Sequence, residues 1–112
     1  MPIEHDSIPT GPDQPVVWAT IFEGPPEKVE RAVGLVRGQL LAVYKGQPGW
    51  QGTLGLVSFD RARVLVLNFW ESESAMQQHS ADAARLRQHA GSLGVTIRSS
   101  DRFEIQFDDR VE

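Results

Sequence analysis

Residues 64–70 read Val-Leu-Val-Leu-Asn-Phe-Trp. In an extended chain, alternate side chains point to opposite faces. Val64, Val66 and Trp70 then face one way, and Leu65, Leu67 and Phe69 face the other. A strand that is apolar front and back must be covered on both sides. Any fold for this chain therefore needs a sheet with this strand in its interior and a layer against each face.

The rest of the sequence supplies the first layer. Residues 15–23 are rich in β-branched and aromatic side chains and close on Gly24-Pro25-Pro26, which predicts a first strand. The prolines suit the first turn of a helix, where the missing donor costs nothing. Glu27 and Glu30 favour the same end through the helix dipole. Val29, Val33, Val36, Leu40 and Val43 keep the helical period, so residues 26–45 are expected to form a helix, stopped by Gly46-Gln47-Pro48-Gly49. Residues 50–59 read as a second strand, and a hairpin connection at 60–63 leads into the two-faced strand. Ser72 or Ser74 caps a second helix with Glu71 and Glu73 at its positive end. Met76, His79, Ala83, Leu86 and Ala90 share one face of that helix, and Gly91 and Gly94 end it. Strict alternation at Phe103, Ile105 and Phe107 places the last strand at 102–107. The order β-α-β-β-α-β is the ferredoxin-like arrangement, an α+β fold with an antiparallel sheet and helices on one face. Residues 1–14, with four prolines among the first fifteen residues, are expected to be a loose tail. The domain is expected over 15–108, with a short C-terminal tail at 109–112.

Two helices cover only one sheet face. Neither the tail nor the 92–101 segment carries many large apolar residues, so the economical cover for the other face is a second copy of the sheet in a homodimer. With 112 residues the chain holds one domain and one core. The absence of cysteine excludes disulfides, zinc-thiolate sites and thiol nucleophiles. A net charge of −4 argues against a nucleic-acid partner. There is no secretory signal pattern in 1–14 and no apolar run that spans a membrane, so a cytoplasmic location without membrane contact is expected.

No nucleotide loop or metal-ligand spacing is present. His79 and His89, on one helix, would sit roughly 15 Å and 80° apart, too far to share an ion. Gly34 and Gly38 make a G-x-x-x-G on an amphipathic helix, where two tolerated glycines on an outer face are the plainer explanation. His79 lies near the centre of the apolar stripe, beside Met76. It is either an acid–base or ligand-binding group or a hydrogen-bonded core histidine. His89 lies at the stripe's edge, facing a cleft or solvent. Asn68 interrupts the most apolar strand, and a buried amide needs partners. It either braces the backbone or offers a polar group to a cavity, on the same strand face as Trp70 about 7 Å away. Trp18 and Trp50 are weaker candidates for the same cavity, and Tyr44, at the end of the first helix, is more readily structural.

Trp70-Glu71-Ser72-Glu73, at the junction of the third strand and second helix, resembles the antibiotic biosynthesis monooxygenase family. Pro48-Gly49-Trp50 before the second strand is similar to the Pro-Gly-aromatic turn of that family. The resemblance spans residues 15–108 and implies a dimeric α+β barrel. Some members are cofactor-independent oxygenases of polycyclic phenols, in which the substrate itself reduces O₂. On that resemblance Asn68, Trp70 and His79 are the catalytic candidates, the first two orienting substrate and His79 accepting a proton. Trp18, Tyr44, Trp50, Met76 and His89 are then candidate substrate-binding residues. A haem-degrading branch places a helix histidine where this chain has His89, but its first-strand asparagine falls near Ala19 here, which sets haem last among the possibilities. The expected function is thus a cofactor-free monooxygenase of an aromatic or quinol-type molecule. The alternatives are a non-catalytic ligand-binding or stress-related dimer and, less favoured, a haem protein.

Overall fold

β1 (Val16–Glu23), β2 (Trp50–Val57), β3 (Arg63–Trp70) and β4 (Thr96–Glu104) form one antiparallel sheet in the order β2-β3-β1-β4. This computed structural model describes residues 15–79, 85, 88–89 and 91–109. The expected tail at 1–14, and Ala83, Leu86 and Ala90 of the second helix, lie outside them. β3, the two-faced strand, is an interior strand between β2 and β1, as its composition requires. The topology is the ferredoxin-like one.

The first helical stretch starts at Pro26, and Lys28 and Val29 both donate backbone bonds to Pro25 O. It runs as α1 (Pro26–Leu35), a π-helical turn (Val36–Leu40) and α2 (Leu41–Tyr44). That wider turn corrects the expected stripe. A π turn adds a residue to the helix and delays the rotation of everything after it. Val29 and Val36 are buried, but Val43 is 42 % exposed and Tyr44 takes the inward position. Gly34 and Gly38 have no neighbour within 4 Å of an added Cβ, so the plainer reading of their spacing holds. The second helix begins at α3 (Glu73–Gln77), where the Ser72 hydroxyl accepts the Ala75 N–H at 3.1 Å.

The helices pack on the face that carries Val64, Val66, Asn68 and Trp70, all of them buried. At one end of this layer Phe22, Val29, Ala32, Val36, Val64, Val66 and Val95 form a core cluster. At the other, Val16, Tyr44, Trp70, Ala75 and Met76 form a second, with Trp18, Trp50 and Leu40 against it. On the opposite sheet face Leu65, Leu67 and Phe69 are only half-buried, and Leu54, Leu56 and Phe103 are exposed.

β4 differs from expectation. It pairs with β1 over residues 96–104, so most of the expected 92–101 connection is strand. Of the alternating aromatics only Phe103 lies in the strand, on the open face and 52 % exposed, and Phe107 beyond it is 87 % exposed. Burial of Val95 and pairing along the whole of β1 set this register rather than aromatic alternation. β2 also ends earlier than expected, at Val57. The following turn is held by Ser58 and Asp60: the Ser58 hydroxyl donates to the Asp60 carboxylate, which also accepts the Ala62 N–H at 3.0 Å. Those bonds, the Ser58 hydroxyl foremost, hold the Asp60 carboxyl below its usual pKa. Phe59 at this turn is fully exposed.

Candidate active site

Cross-strand register brings all four strands to one row on the helix-facing side. Asn68 on β3 lies between Trp18 on β1 and Thr53 on β2, and Arg102 on β4 flanks Trp18. The next row holds Trp50, Trp70, Val16 and Glu104. In a regular strand Trp50 and Thr53, three residues apart, would face opposite ways. The register shifts between Trp50 and Gly52, so an extra residue on β2 puts both on one face. Gly52, at φ 144°, supplies the backbone freedom this needs.

The polar atoms of these rows are joined. Trp50 Nε1 donates to Thr53 Oγ1 at 3.2 Å, and Thr53 Oγ1 donates to Asn68 Oδ1 at 2.6 Å. On the other side Trp18 Nε1 donates to Ser100 Oγ at 2.6 Å, and Ser100 Oγ lies 3.1 Å from Thr20 Oγ1. The Arg102 guanidinium lies 3.8 Å from the Glu73 carboxylate, tying β4 to the start of α3.

Around Trp70 the contacts are aromatic. The Tyr44 ring meets it edge-on, centroids 5.9 Å apart, and the His79 ring stacks on it at 4.9 Å and 20°. Met76 is sealed beneath them. His79 Nε2 is buried and, among the described residues, has no hydrogen-bonding partner. A sealed, unpaired polar atom of this kind costs about 1–3 kcal/mol.

The two sequence motifs meet here. Glu71 N donates to Gly49 O at 2.8 Å, and Trp50 opposes Trp70 across the sheet. Gly49 sits at φ 85°, and a Cβ there would stand 2.5 Å from Ala75 Cβ. The Pro-Gly-aromatic turn is thus the floor on which the Trp-Glu-Ser junction rests.

Of the residues singled out from sequence, Tyr44, Trp70, Met76 and His79 come together around one indole, and Trp18, Trp50 and Asn68 stand in the adjoining rows. His89 does not join them: its side chain is exposed, and its carbonyl accepts the Ser92 hydroxyl at 2.7 Å. Ala19 opposes Leu67 and so faces away from Asn68. Thr53 and Ser100 escaped sequence reasoning. A hydroxyl opposite a buried amide is a signal only once register and bulge are known. Among the described residues no group of three or more His, Cys, Asp or Glu side chains is placed to hold a metal ion, and no helix is long and apolar enough to cross a membrane.

No family model matches the chain, and no curated protein sequence matches it. Solved structures do. A monooxygenase from the gene ActVA-Orf6 of Streptomyces coelicolor, in complex with nanaomycin D, is 20 % identical with a TM-score of 0.69, over 88 % of this chain and 91 % of that one. SnoaB, a cofactor-independent oxygenase from Streptomyces nogalater, is 19 % identical with a TM-score of 0.63, over 82 % and 93 %. A Shewanella loihica PV-4 protein, provisionally described as a monooxygenase, is 23 % identical with a TM-score of 0.65, over 85 % and 97 %. The chain has the fold of antibiotic biosynthesis monooxygenase-type proteins, as the two motifs led us to expect.

Proposed function

We propose that this chain, with the fold of those monooxygenases as its starting point, is a cofactor-independent monooxygenase. Its substrate is a flat, electron-rich phenol or quinol, held at the aromatic end of the sheet. The observation that carries the reading is the buried Asn68 amide between Trp18 and Thr53, one row from a Trp70 indole on which the His79 ring stacks. Half-buried Trp18 offers a planar wall to a planar molecule, and buried Trp70 orients it through the His79 and Tyr44 rings packed on the indole. Asn68 orients it through its hydroxyl oxygen, and His79 takes the phenolic proton. Removing that proton makes the ring a stronger reductant. One atom of O₂ then enters the ring at a C–H carbon and the other leaves as water, with both substrate hydrogens, giving a quinone. The substrate gives up four electrons and O₂ accepts them, so no further reductant is required. What the protein contributes is position and proton transfer.

The same reading takes the working unit to be a homodimer. Half-buried Leu65, Leu67 and Phe69 with exposed Leu54, Leu56 and Phe103 make an apolar sheet face of the kind a second copy covers. Light scattering should give about 25 kDa, twice the chain's 12.5 kDa.

Oxygen-electrode traces with a polycyclic phenol test the activity. Uptake with quinone formation is expected, and folded Asn68→Ala and Trp70→Ala variants should lose it. Full turnover in both would move the site elsewhere. Saturable binding without uptake would leave a ligand-binding dimer.

A further inference from the structure

The indole N–H of Trp50 can only donate. Thr53 Oγ1 accepts it at 3.2 Å and donates its own proton to the Asn68 amide oxygen, 2.6 Å away. The end of the amide that receives a proton is the carbonyl oxygen. The three side chains therefore have one polarity, which sets Asn68 Oδ1 toward Thr53 and Nδ2 away from it.

Asn68 is 7 % exposed, and among the described residues Thr53 is the partner its side chain bonds. Yet the sealed side-chain nitrogen or oxygen without a partner, among those residues, is His79 Nε2 and not Asn68 Nδ2. The Asn68 amide nitrogen must then keep a path to the outside of the protein. It is a reachable donor, with two protons, set in a strand between Trp18 and Thr53.

We infer that Thr53 is a positioning residue, and that the Trp50–Thr53–Asn68 relay makes this site select a ligand by its acceptor oxygen, binding a phenol as its phenolate. An amide free to rotate would serve a hydroxyl as readily as an oxyanion; one locked with its donors outward favours the charged form. The inference rests on the proposed function for the place of the ligand and adds the ionisation state in which it is held. The ionisable side chains in and beside these rows are His79, Tyr44, Glu104 and Arg102 with its partner Glu73, and none of them changes in the relay variants below.

The probe is 4-nitro-1-naphthol, a flat phenol whose anion absorbs in the visible. Spectrophotometric titration of the full chain without oxygen reads the pKa of the bound probe. Wild type should bind the anion more tightly than the neutral form. Thr53→Val keeps the shape and cuts the relay; it should raise the bound probe's pKa by about one unit, a tenfold loss of anion preference. Thr53→Ser should restore it. Asn68→Asp should lose the anion and keep the neutral naphthol, which covers the case in which Thr53→Val does not fold. An unchanged pKa in Thr53→Val, equal anion binding in Asn68→Asp, or no saturable binding to wild type would overturn the inference. Because no turnover is read, anion preference without oxygen uptake would defeat the oxygenase reading alone, and uptake with a relay-independent pKa would defeat the relay alone.

Discussion

The two ends of the helix-facing layer are built from the same strands and differ in kind. Toward Phe22 the hydrophobic cluster is built from Phe, Val and Ala. Toward Trp70 it is aromatic, threaded by two hydrogen-bonded chains, and includes a nitrogen that has no partner among the described residues. β3 makes the change within a few residues, from Val64 and Val66 to Asn68 and Trp70. One half of the layer is plain aliphatic packing, while the other half carries polar groups and, among the described residues, an unpaired nitrogen.

The sharpest way to break this comparison is to weaken the aliphatic end. Phe22→Ala removes a fully buried ring and should cost about 3–5 kcal/mol in urea unfolding, enough to unfold much of a domain this size. A loss below about 1 kcal/mol would mean this end is not the main support. Gly49→Ala attacks the floor of the other end. It combines a left-handed backbone with a Cβ 2.5 Å from Ala75, and should cost about 2–4 kcal/mol by the same measurement. His79→Phe should behave in the opposite way. It removes a sealed, unpaired nitrogen and keeps the stack on Trp70, so stability should hold or rise by about 1 kcal/mol while oxygen uptake disappears. A loss as large as that of Phe22→Ala would make His79 part of the frame. The smallest effect lies outside both ends. Asp60 has a lowered pKa in the folded state, so its contribution to the hairpin turn is present above its unfolded value of 3.8 and is lost as pH falls below it. Amide exchange at Ala62 should accelerate, relative to its intrinsic rate, only in that acid range, and neither core should respond.

Much of the fold was legible because its signals are local. A β-branched run, a Pro-Pro start and a Gly-Gln-Pro-Gly stop each act within a few residues. The apolar alternation of 64–70 also placed that strand correctly in the interior. What sequence reasoning missed depends on pairing. Residues 96–100 carry no apolar alternation, Ser100 meeting the Trp18 indole N–H and the Thr20 hydroxyl through its own hydroxyl, and the Phe103–Phe107 alternation drew the strand too far along the chain. The bulge that turns Trp50 toward Thr53 has no single-residue signature beyond Gly52. Of the site, Asn68 and His79 were visible as polar residues in apolar stripes. Thr53 was not, because a threonine in a strand is ordinary until its neighbour across the sheet is known.

The π turn at Val36–Leu40 has a consequence for how such a site could arise. A helix one residue shorter at that point would regain its regular pitch and still present the Tyr44 phenol inward, because the wide turn is what absorbs the extra residue. The same residues wound at regular pitch with none removed would instead carry Val43 inward and put an isopropyl group in place of the edge-on ring against Trp70. One wide turn, with no substitution anywhere, thus decides whether that flank of the layer is a plain interior or one fitted for a guest.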